Sequence, residues 1–371
     1  MTDILYERNE IRLTDDVMKT FIKWPGGKER ELPVIRKCIP VYSGRYVEPF
    51  VGGGAVFFDT DTKSCCINDK SEELINLYVC IREGDEDLSG YLRRETEEFT
   101  AIGKFTDEHV SDILDLYHQR LGICEFIEKH NGFFSSLAAG YNDVFQQELR
   151  KNLSNKISRS EKLKKESGAI PDSDRLDNIE SAMKSAYYMH LRYLQNHPSG
   201  ISKGRQAAVF FFVREYCYSS MFRYNGSGEF NVPYGGISYN RKDLRKKIDY
   251  LLSGGVRAKL KSTEIHCEDF ESFLDGLKLT GNDFVFLDPP YDTEFSSYAK
   301  NEFGRKEQER LRDCLKRTPA KILLIIKNTD FVYELYKGDF YISSFSKKYA
   351  VSFMNRNDRN TEHLIITNYE I

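Results

Sequence analysis

Short apolar runs alternate with helical patterns at both ends of this chain, and the middle breaks that rhythm. The runs Tyr46–Val51, Ser64–Asn68, Glu264–Cys267, Phe284–Leu287, Ile322–Lys327 and Leu364–Thr367 are apolar and mostly β-branched or aromatic. Gly, Asp, Asn or Pro bounds them, which predicts buried strands. Phe340–Ala350 is a further strand candidate, while Glu72–Arg82 and Arg305–Lys316 carry helical periodicity. Alternation of this kind predicts an α/β fold, a parallel sheet with helices on both faces. Between Asp85 and about Arg205 no strand pattern stands out; Glu108–His130 and Arg175–Asn196 read as helices, and Lys151–Asp174 as a polar connector. The expected organisation is an α/β domain built from residues 1–84 and 256–371, interrupted by an inserted unit over 85–255. No internal repeat is evident.

Composition adds little to that picture beyond exclusions. The chain has 371 residues, 40% hydrophobic and 30% charged, the balance of an ordinary globular protein. No stretch approaches the roughly 20 apolar residues of a membrane helix. Met1–Asp16 alternates acids and bases, so no signal peptide and no membrane partner are expected and the reading is cytoplasmic. Eight cysteines occur without a CxxC pair, Cys65 and Cys66 lying side by side in an apolar run, and seven histidines lack ligand spacing. Buried, reduced thiols and no metal are the expectation. The net charge of −3 does not advertise a polyanion partner, but only a docking face has to be positive. Ile201–Leu260 holds 11 Lys and Arg against 4 Asp and Glu, while acids gather in Asp85–Glu98. That segregation fits either a polyanion site or a solvated helix face.

Candidate chemistry changes the picture more. Val47-Glu48-Pro49-Phe50-Val51-Gly52-Gly53-Gly54 follows a strand and precedes a helical start, and glycines there allow close backbone approach to a ligand. A tight turn alone gives the same triplet, and the spacing is not the GxGxxG pattern of NAD enzymes. The next strand ends at Asn68-Asp69, placing a carboxylate where it can hold ribose hydroxyls or simply cap a helix. Upstream, Lys23-Trp24-Pro25-Gly26-Gly27-Lys28 is a compact turn carrying the only tryptophan.

The most informative stretch is Asp283-Phe284-Val285-Phe286-Leu287-Asp288-Pro289-Pro290-Tyr291. A buried strand ends in an acid, and two prolines without N–H groups stiffen the turn and leave its carbonyls directed outward. Asp288 and the Pro289 carbonyl can both accept hydrogen bonds from one amino group, while Tyr291 can stack on the flat ring that bears it. A rigid turn with a solvent-facing Asp288 is the alternative.

With these residues the sequence resembles the Dam-type DNA N6-adenine methyltransferases. The resemblance runs from about Phe21 to Tyr369, weakest across Asp85–Arg205. It rests on KWPGGK (Lys23–Lys28), YVEPFVGGGAVF (Tyr46–Phe57), IND (Ile67–Asp69), EDF (Glu268–Phe270), DPPY (Asp288–Tyr291) and TEHLIITNY (Thr361–Tyr369). It implies a seven-stranded methyltransferase sheet with an inserted, mainly helical target-recognition domain carrying a β-hairpin, and S-adenosylmethionine as cofactor. By that resemblance Trp24 and Lys28 border the methionine moiety, and Glu48, Pro49, Phe50, Gly52 and Gly54 line the cofactor loop. Asp69 holds the ribose, and Asp269 with Phe270 meets the cofactor adenine. Asp288, Pro289, Pro290 and Tyr291 receive the target base, with Asp288 also bordering the cofactor.

The resemblance also implies how DNA is read. Arg223–Gly235 (RYNGSGEFNVPYG) looks like the family's DNA-recognition hairpin. Arg223, Asn225 and Asn231 offer donors suited to base edges, with Ser227 and Pro233 on the same segment. Lys23, Tyr239, Arg241 and Lys242 suit the backbone, and Arg245-Lys246-Lys247 follows. Ser346-Lys347-Lys348 and Arg356–Arg359 add basic candidates near the end of the sheet. Relatives specific for GATC commonly carry a basic residue where this chain has Ser227, so no recognition sequence is assigned. The expected partner is double-stranded DNA at the nucleoid, with a separately acting restriction endonuclease. Methylation of RNA, or DNA binding by an inactive domain, are the alternatives; the hairpin argues against the first, and intact Asp69, Asp269, Asp288 and Tyr291 against the second.

Overall fold

The computed structural model describes residues 18–138, 142–167, 170–290, 303–348 and 360–371. Tyr291, Met1–Asp16 and Arg356–Arg359 lie outside them, as do the side chains of Lys347 and Lys348. Seven strands form one sheet: β1 (Tyr46–Glu48), β2 (Cys65–Asn68), β3 (Thr263–His266), β4 (Phe284–Leu287), β5 (Lys321–Lys327), β6 (Tyr341–Lys348) and β7 (Asn360–Thr367). Their spatial order is β3-β2-β1-β4-β5-β7-β6. The first five are parallel, and β7 runs antiparallel to both β5 and β6. The seven strand runs of the sequence reading all find their place here.

Three short or medium helices belong to the first half of the sheet, α1 (Leu32–Cys38), α2 (Ala55–Asp59) and α3 (Glu72–Glu83). Between β2 and β3 the chain then builds a helical layer: α4 (Glu86–Glu108), α5 (Val110–Tyr117), α6 (Ile123–Lys129), α7 (Asn131–Ser136), α8 (Asn142–Ser167), α9 (Asp172–Asn196), α10 (Lys203–Tyr216), α11 (Arg245–Leu251) and α12 (Gly254–Lys261). The last three, α13 (Phe270–Gly276), α14 (Arg305–Arg317) and α15 (Asp330–Tyr336), cover the other face.

Strand residues alternate between two cores, as the period of a strand requires. Tyr46, Ile67, Phe284, Phe286, Leu323 and Ile325 face the helical layer. Val47, Cys66, Val285, Leu287, Leu324 and Ile326 face α13, α14 and α15. Burial on both faces explains why these strands read as continuous apolar runs. The helical layer shares the first core without a break, and α10 lies at its centre, buried from Ala207 to Tyr216. A helix apolar nearly all round has no solvent face to show.

Two expectations are corrected. Lys151–Asp174 is not a polar connector: α8 runs through Ser167, because Phe145, Leu149, Leu153 and Ile157 recur every four residues and bury one stripe. Glu108–His130 is not one helix either; it breaks after Tyr117, where Gln119 takes a positive φ of 57°. All eight cysteines are free as expected, yet Cys124 and Cys267 are exposed rather than buried.

Candidate functional site

The strand order reverses between β1 and β4, and the loops at the carboxyl ends of β1, β2, β3 and β4 open there on a common side. Open α/β sheets bind ligands in the crevice at such a reversal. Here it is a cavity of about 980 Å³, large enough for a nucleoside cofactor together with a base. Every cofactor candidate lines it: Trp24, Lys28, Glu48, Pro49, Phe50, Gly52, Gly54, Asp69, Asp269, Phe270 and Asp288. Pro289 and Pro290 line it too.

The glycine triplet is a packing device. Gly52 has φ +48°, and a Cβ there would stand 2.6 Å from Trp24 Cδ1. Gly54 has φ +73°, and its Cβ would meet the Tyr78 hydroxyl at 2.9 Å. So the only tryptophan lies against bare backbone, and Tyr78 donates to the Gly52 carbonyl at 3.0 Å from beneath. Asp69 fixes the same loop from β2, its Oδ2 accepting from Gly52 N and its Oδ1 from Ser71 N, both at 2.9 Å. Burial pushes the Asp69 carboxyl upward, and these N–H groups oppose the shift.

Asn68 joins three loops. Its Nδ2 donates to the Pro49 and Glu268 carbonyls, and its Oδ1 accepts from Glu268 N. Asp269 caps α13 by accepting from Glu271 N at 3.1 Å, and Arg310 donates to the same oxygen at 2.8 Å. Arg310 also stacks over Phe270, and Phe303 closes on both Phe50 and Phe270. Deep in the cavity, Tyr46 donates to Glu48 Oε2 at 2.6 Å. Burial holds the Glu48 carboxyl well above the usual range, and the carboxylates of Asp288 and Asp69 add to the shift.

At the end of β4, Asp288 Oδ1 lies 2.5 Å from the ammonium of Lys28. Lys28 is buried and also donates to the Gly26 carbonyl at 2.9 Å. Pro289 is buried and Pro290 exposed. One detail departs from the sequence reading: the Pro290 carbonyl is not left open, since Gln308 Nε2 donates to it at 3.2 Å.

The candidate hairpin borders this cavity where it begins. Phe222 and Tyr224 line it, and Trp24 meets Phe222 edge to face at 4.9 Å. The buried Arg214 guanidinium stacks on Phe222 at 4.0 Å and donates to the Met221 and Ser220 carbonyls. The arms of the hairpin are joined at Tyr224–Phe230 and Cys217–Tyr234. Asn225 holds the turn, its Oδ1 accepting from Ser227 N and Glu229 N. Arg223 donates from Nε to Asn231 Oδ1 at 2.7 Å, so these two side chains brace each other. Ser227 and Pro233 are exposed at the surface.

Of the basic residues that follow, Arg241, Lys242 and Lys247 are partnered inside the chain. Arg241 bonds Asp107 and Glu180, while Lys242 and Lys247 converge on Glu215, which is 1% exposed. Lys23 is exposed and reaches over the Tyr239 ring. Asn68, Tyr78, Phe222, Tyr224, Phe303 and Arg310 were not foreseen as site residues. Asn68, next to Asp69 at a strand end, and Tyr224, inside the hairpin candidate, had local signals; the others arrive by tertiary packing.

A mixed sheet of this order with a glycine-rich first loop and an acidic second strand end defines the methyltransferase class of α/β proteins. Within it, the chain belongs to the D12 class of N6 adenine-specific DNA methyltransferases, whose family model matches residues 24–166 and 142–351. It is 28% identical to the type II methyltransferase M.CviBI of Paramecium bursaria Chlorella virus NC1A, over 95% of this chain and 100% of that protein. It is 25% identical to the type II methyltransferase M1.LlaDCHI of Lactococcus lactis subsp. cremoris, over 98% and 99%. The DNA adenine methylase of Haemophilus influenzae is 24% identical over 86% of this chain and 83% of its own length. The Dam-type resemblance is thereby borne out, and the chain is an adenine-specific DNA methyltransferase. Among the described residues no helix is long and apolar enough to cross a membrane.

Proposed function

We propose that this chain transfers the methyl group of S-adenosylmethionine to N6 of an adenine extruded from duplex DNA. The observation that carries the reading is Asp288: it lies on the wall of the same cavity that Asp69 and Asp269 enter from neighbouring strand ends. The rings of Trp24, Phe50 and Phe270 and the carboxylates of Glu48, Asp69, Asp269 and Asp288, all lining one cavity, suit a cationic nucleoside with a ribose and an ammonium group. Trp24 and Lys28 border the methionine end, and Glu48, Pro49, Phe50, Gly52 and Gly54 form the loop around it. Asp69 holds the ribose, and Asp269 with Phe270 the adenine. When bound, the cofactor supplies an electrophilic sulfonium methyl.

The chain's own residues then prepare the nucleophile. The N6 lone pair of adenine is delocalised into the ring. Asp288 and the Pro289 carbonyl accept hydrogen bonds from N6–H and favour a pyramidal nitrogen whose lone pair is directed at the methyl. Asp288 stabilises the positive charge that grows on nitrogen, an effect aimed at the transition state. Lys28 fixes the carboxylate's orientation from behind. Inside a duplex the amine is out of reach, so the base is flipped out; Pro290 lines the cavity that receives it, and Tyr291 is the candidate to stack on its ring.

Residues 1–84 and 256–371 form the catalytic part of this proposal, and 85–255 the part that recognises the target. Lys23, Arg223, Asn225, Ser227, Asn231, Pro233, Tyr239 and Arg241 supply the DNA face, and Lys242, held by Glu215, supports it from within the chain. Type II names among the relatives support a partner restriction endonuclease, with the enzyme acting in the cytoplasm on the nucleoid. The test is transfer of labelled methyl from S-adenosylmethionine to duplex DNA, single-stranded DNA and RNA, followed by mapping of modified bases. N6-methyladenine in duplex DNA is expected; label in RNA alone, or none in any substrate, overturns the reading.

A further inference from the structure

The helical layer brings together three side chains that no sequence spacing announced. His109 sits at the junction of α4 and α5, and Asp112 follows it by three residues in the first turn of α5. His130 sits at the junction of α6 and α7. One ligand atom from each lies within 4.8 Å of the other two, and among the described residues this is the one such cluster of His, Cys, Asp or Glu. His130 Nε2 is 2.9 Å from Asp112 Oδ2, and the two imidazole rings are 4.6 Å apart.

We propose that His109, Asp112 and His130 form a site for a zinc-class divalent cation that clasps the α4–α5 junction to the α6–α7 junction. Two imidazoles and a carboxylate are the donor set that borderline cations select over hard ones such as Mg²⁺. The surroundings hold the donors in place. Phe105 packs on the His109 ring at 4.4 Å and on the His130 ring at 5.0 Å, and Phe126 meets His130 at 5.0 Å. Lys129 bonds the other carboxylate oxygen, Asp112 Oδ1, at 2.8 Å. That outer contact orients Asp112 and leaves Oδ2 toward the histidines, the kind of support ligating carboxylates have. Tetrahedral donors about 2.0–2.2 Å from zinc stand roughly 3.3–3.6 Å apart, so the His130–Asp112 pair has to open from 2.9 Å and any separation near the 4.8 Å limit has to shrink, changes that rotation of half-buried side chains supplies. The cation takes the place of the His130–Asp112 hydrogen bond, the displaced ring proton passing to the other nitrogen of His130, and water fills the remaining position.

Both histidines occupy helix N-cap positions, where asparagine is among the best residues, so His109→Asn and His130→Asn should fold. Zn²⁺ and Co²⁺ are titrated into the metal-free full-length chain, with Mg²⁺ as the control, and unfolding is followed in parallel. Expected are one Zn²⁺ per chain, a rise in the melting temperature with Zn²⁺ and not Mg²⁺, and a Co²⁺ spectrum without thiolate charge transfer. Either asparagine variant should weaken Zn²⁺ binding by at least ~tenfold, in line with loss of a ligand contact, and lose the thermal shift. A thiolate-type Co²⁺ spectrum, binding unaltered in both variants, or no stoichiometric binding overturns the proposal.

Discussion

Lys28 Nζ stands 2.5 Å from Asp288 Oδ1, joining the first glycine-rich turn to the end of β4 across 260 positions of sequence. The lysine side chain is 3% exposed and the aspartate 20%. A buried ammonium tolerates its place only with a partner, so the two motifs are energetically coupled as well as adjacent.

Asp288→Ala is therefore expected to have two effects. Methyl transfer is abolished while S-adenosylmethionine still binds, since most of the contacts proposed for the cofactor lie on the loops after β1, β2 and β3. Stability falls by about 3 kcal/mol, the lower end for stranding one member of a buried pair, because Asp288 keeps some solvent. The double variant Lys28→Met/Asp288→Ala should lose less stability than the two single losses together. Denaturant unfolding of the four proteins checks this; strict additivity would show that the pair is uncoupled, and an active Asp288→Ala enzyme would end the proposed mechanism.

Gly52→Ala tests the loop beneath the cofactor. The added methyl faces the indole of Trp24 at 2.6 Å, and φ is +48°. A left-handed non-glycine residue costs on the order of 1–3 kcal/mol, and the ring has to shift besides. Cofactor affinity should fall about tenfold or more, the equivalent of about 1.4 kcal/mol. Because Trp24 is the only tryptophan, its emission reports the same displacement directly. Unchanged emission and unchanged affinity would refute this account of the glycine.

The reach of the sequence follows from which constraints are local. Runs such as Phe284–Leu287 are buried on both faces, so their apolar continuity marks them as strands, and Asp288 is placed simply by following one. Gly52 and Asp69 were legible because backbone that must approach a ligand, or a neighbouring ring, admits few residue types. The rest depends on distant partners. Arg310 reaches Asp269 from α14, and nothing around residue 310 distinguishes it from other surface arginines. His109 and His130 look unrelated until three helices fold back and set their rings side by side. Lys151–Asp174 misled for the opposite reason: its polar composition outweighs Leu153 and Ile157, which continue the buried stripe begun by Phe145 and Leu149.

Glu215 should contribute to acid sensitivity. Burial alone would push its carboxyl up, but Lys242 and Lys247 outweigh burial and hold it below the ordinary value of 4.5. A depressed folded-state value means the unfolded chain binds this proton more readily, so the contribution to stability is present above pH 4.5 and lost as pH falls through the lower folded value. Glu215→Gln is expected to be less stable than the parent at neutral pH and to lose less stability on acidification below that point. Urea unfolding across the acid range decides it; parallel pH profiles would show that Glu215 does not titrate with folding.

The same carboxylate sorts the basic residues near the proposed DNA face. Lys242 gives its charge to Glu215, whereas Lys23 is exposed, and among the described residues no carboxylate pairs with its ammonium. Each phosphate neutralised by a protein cation adds about 0.9 to the salt slope of duplex binding. Lys23→Ala should thus lower the slope by about that amount and weaken binding alike for all sequences. Lys242→Met should leave the slope nearly intact and instead cost stability, by leaving the Glu215 carboxylate short of one of its two lysines. Binding isotherms at several salt concentrations, paired with unfolding curves, separate the two. A full unit of slope lost in Lys242→Met, with stability unchanged, would mean that the Glu215 contact yields to a phosphate when DNA binds.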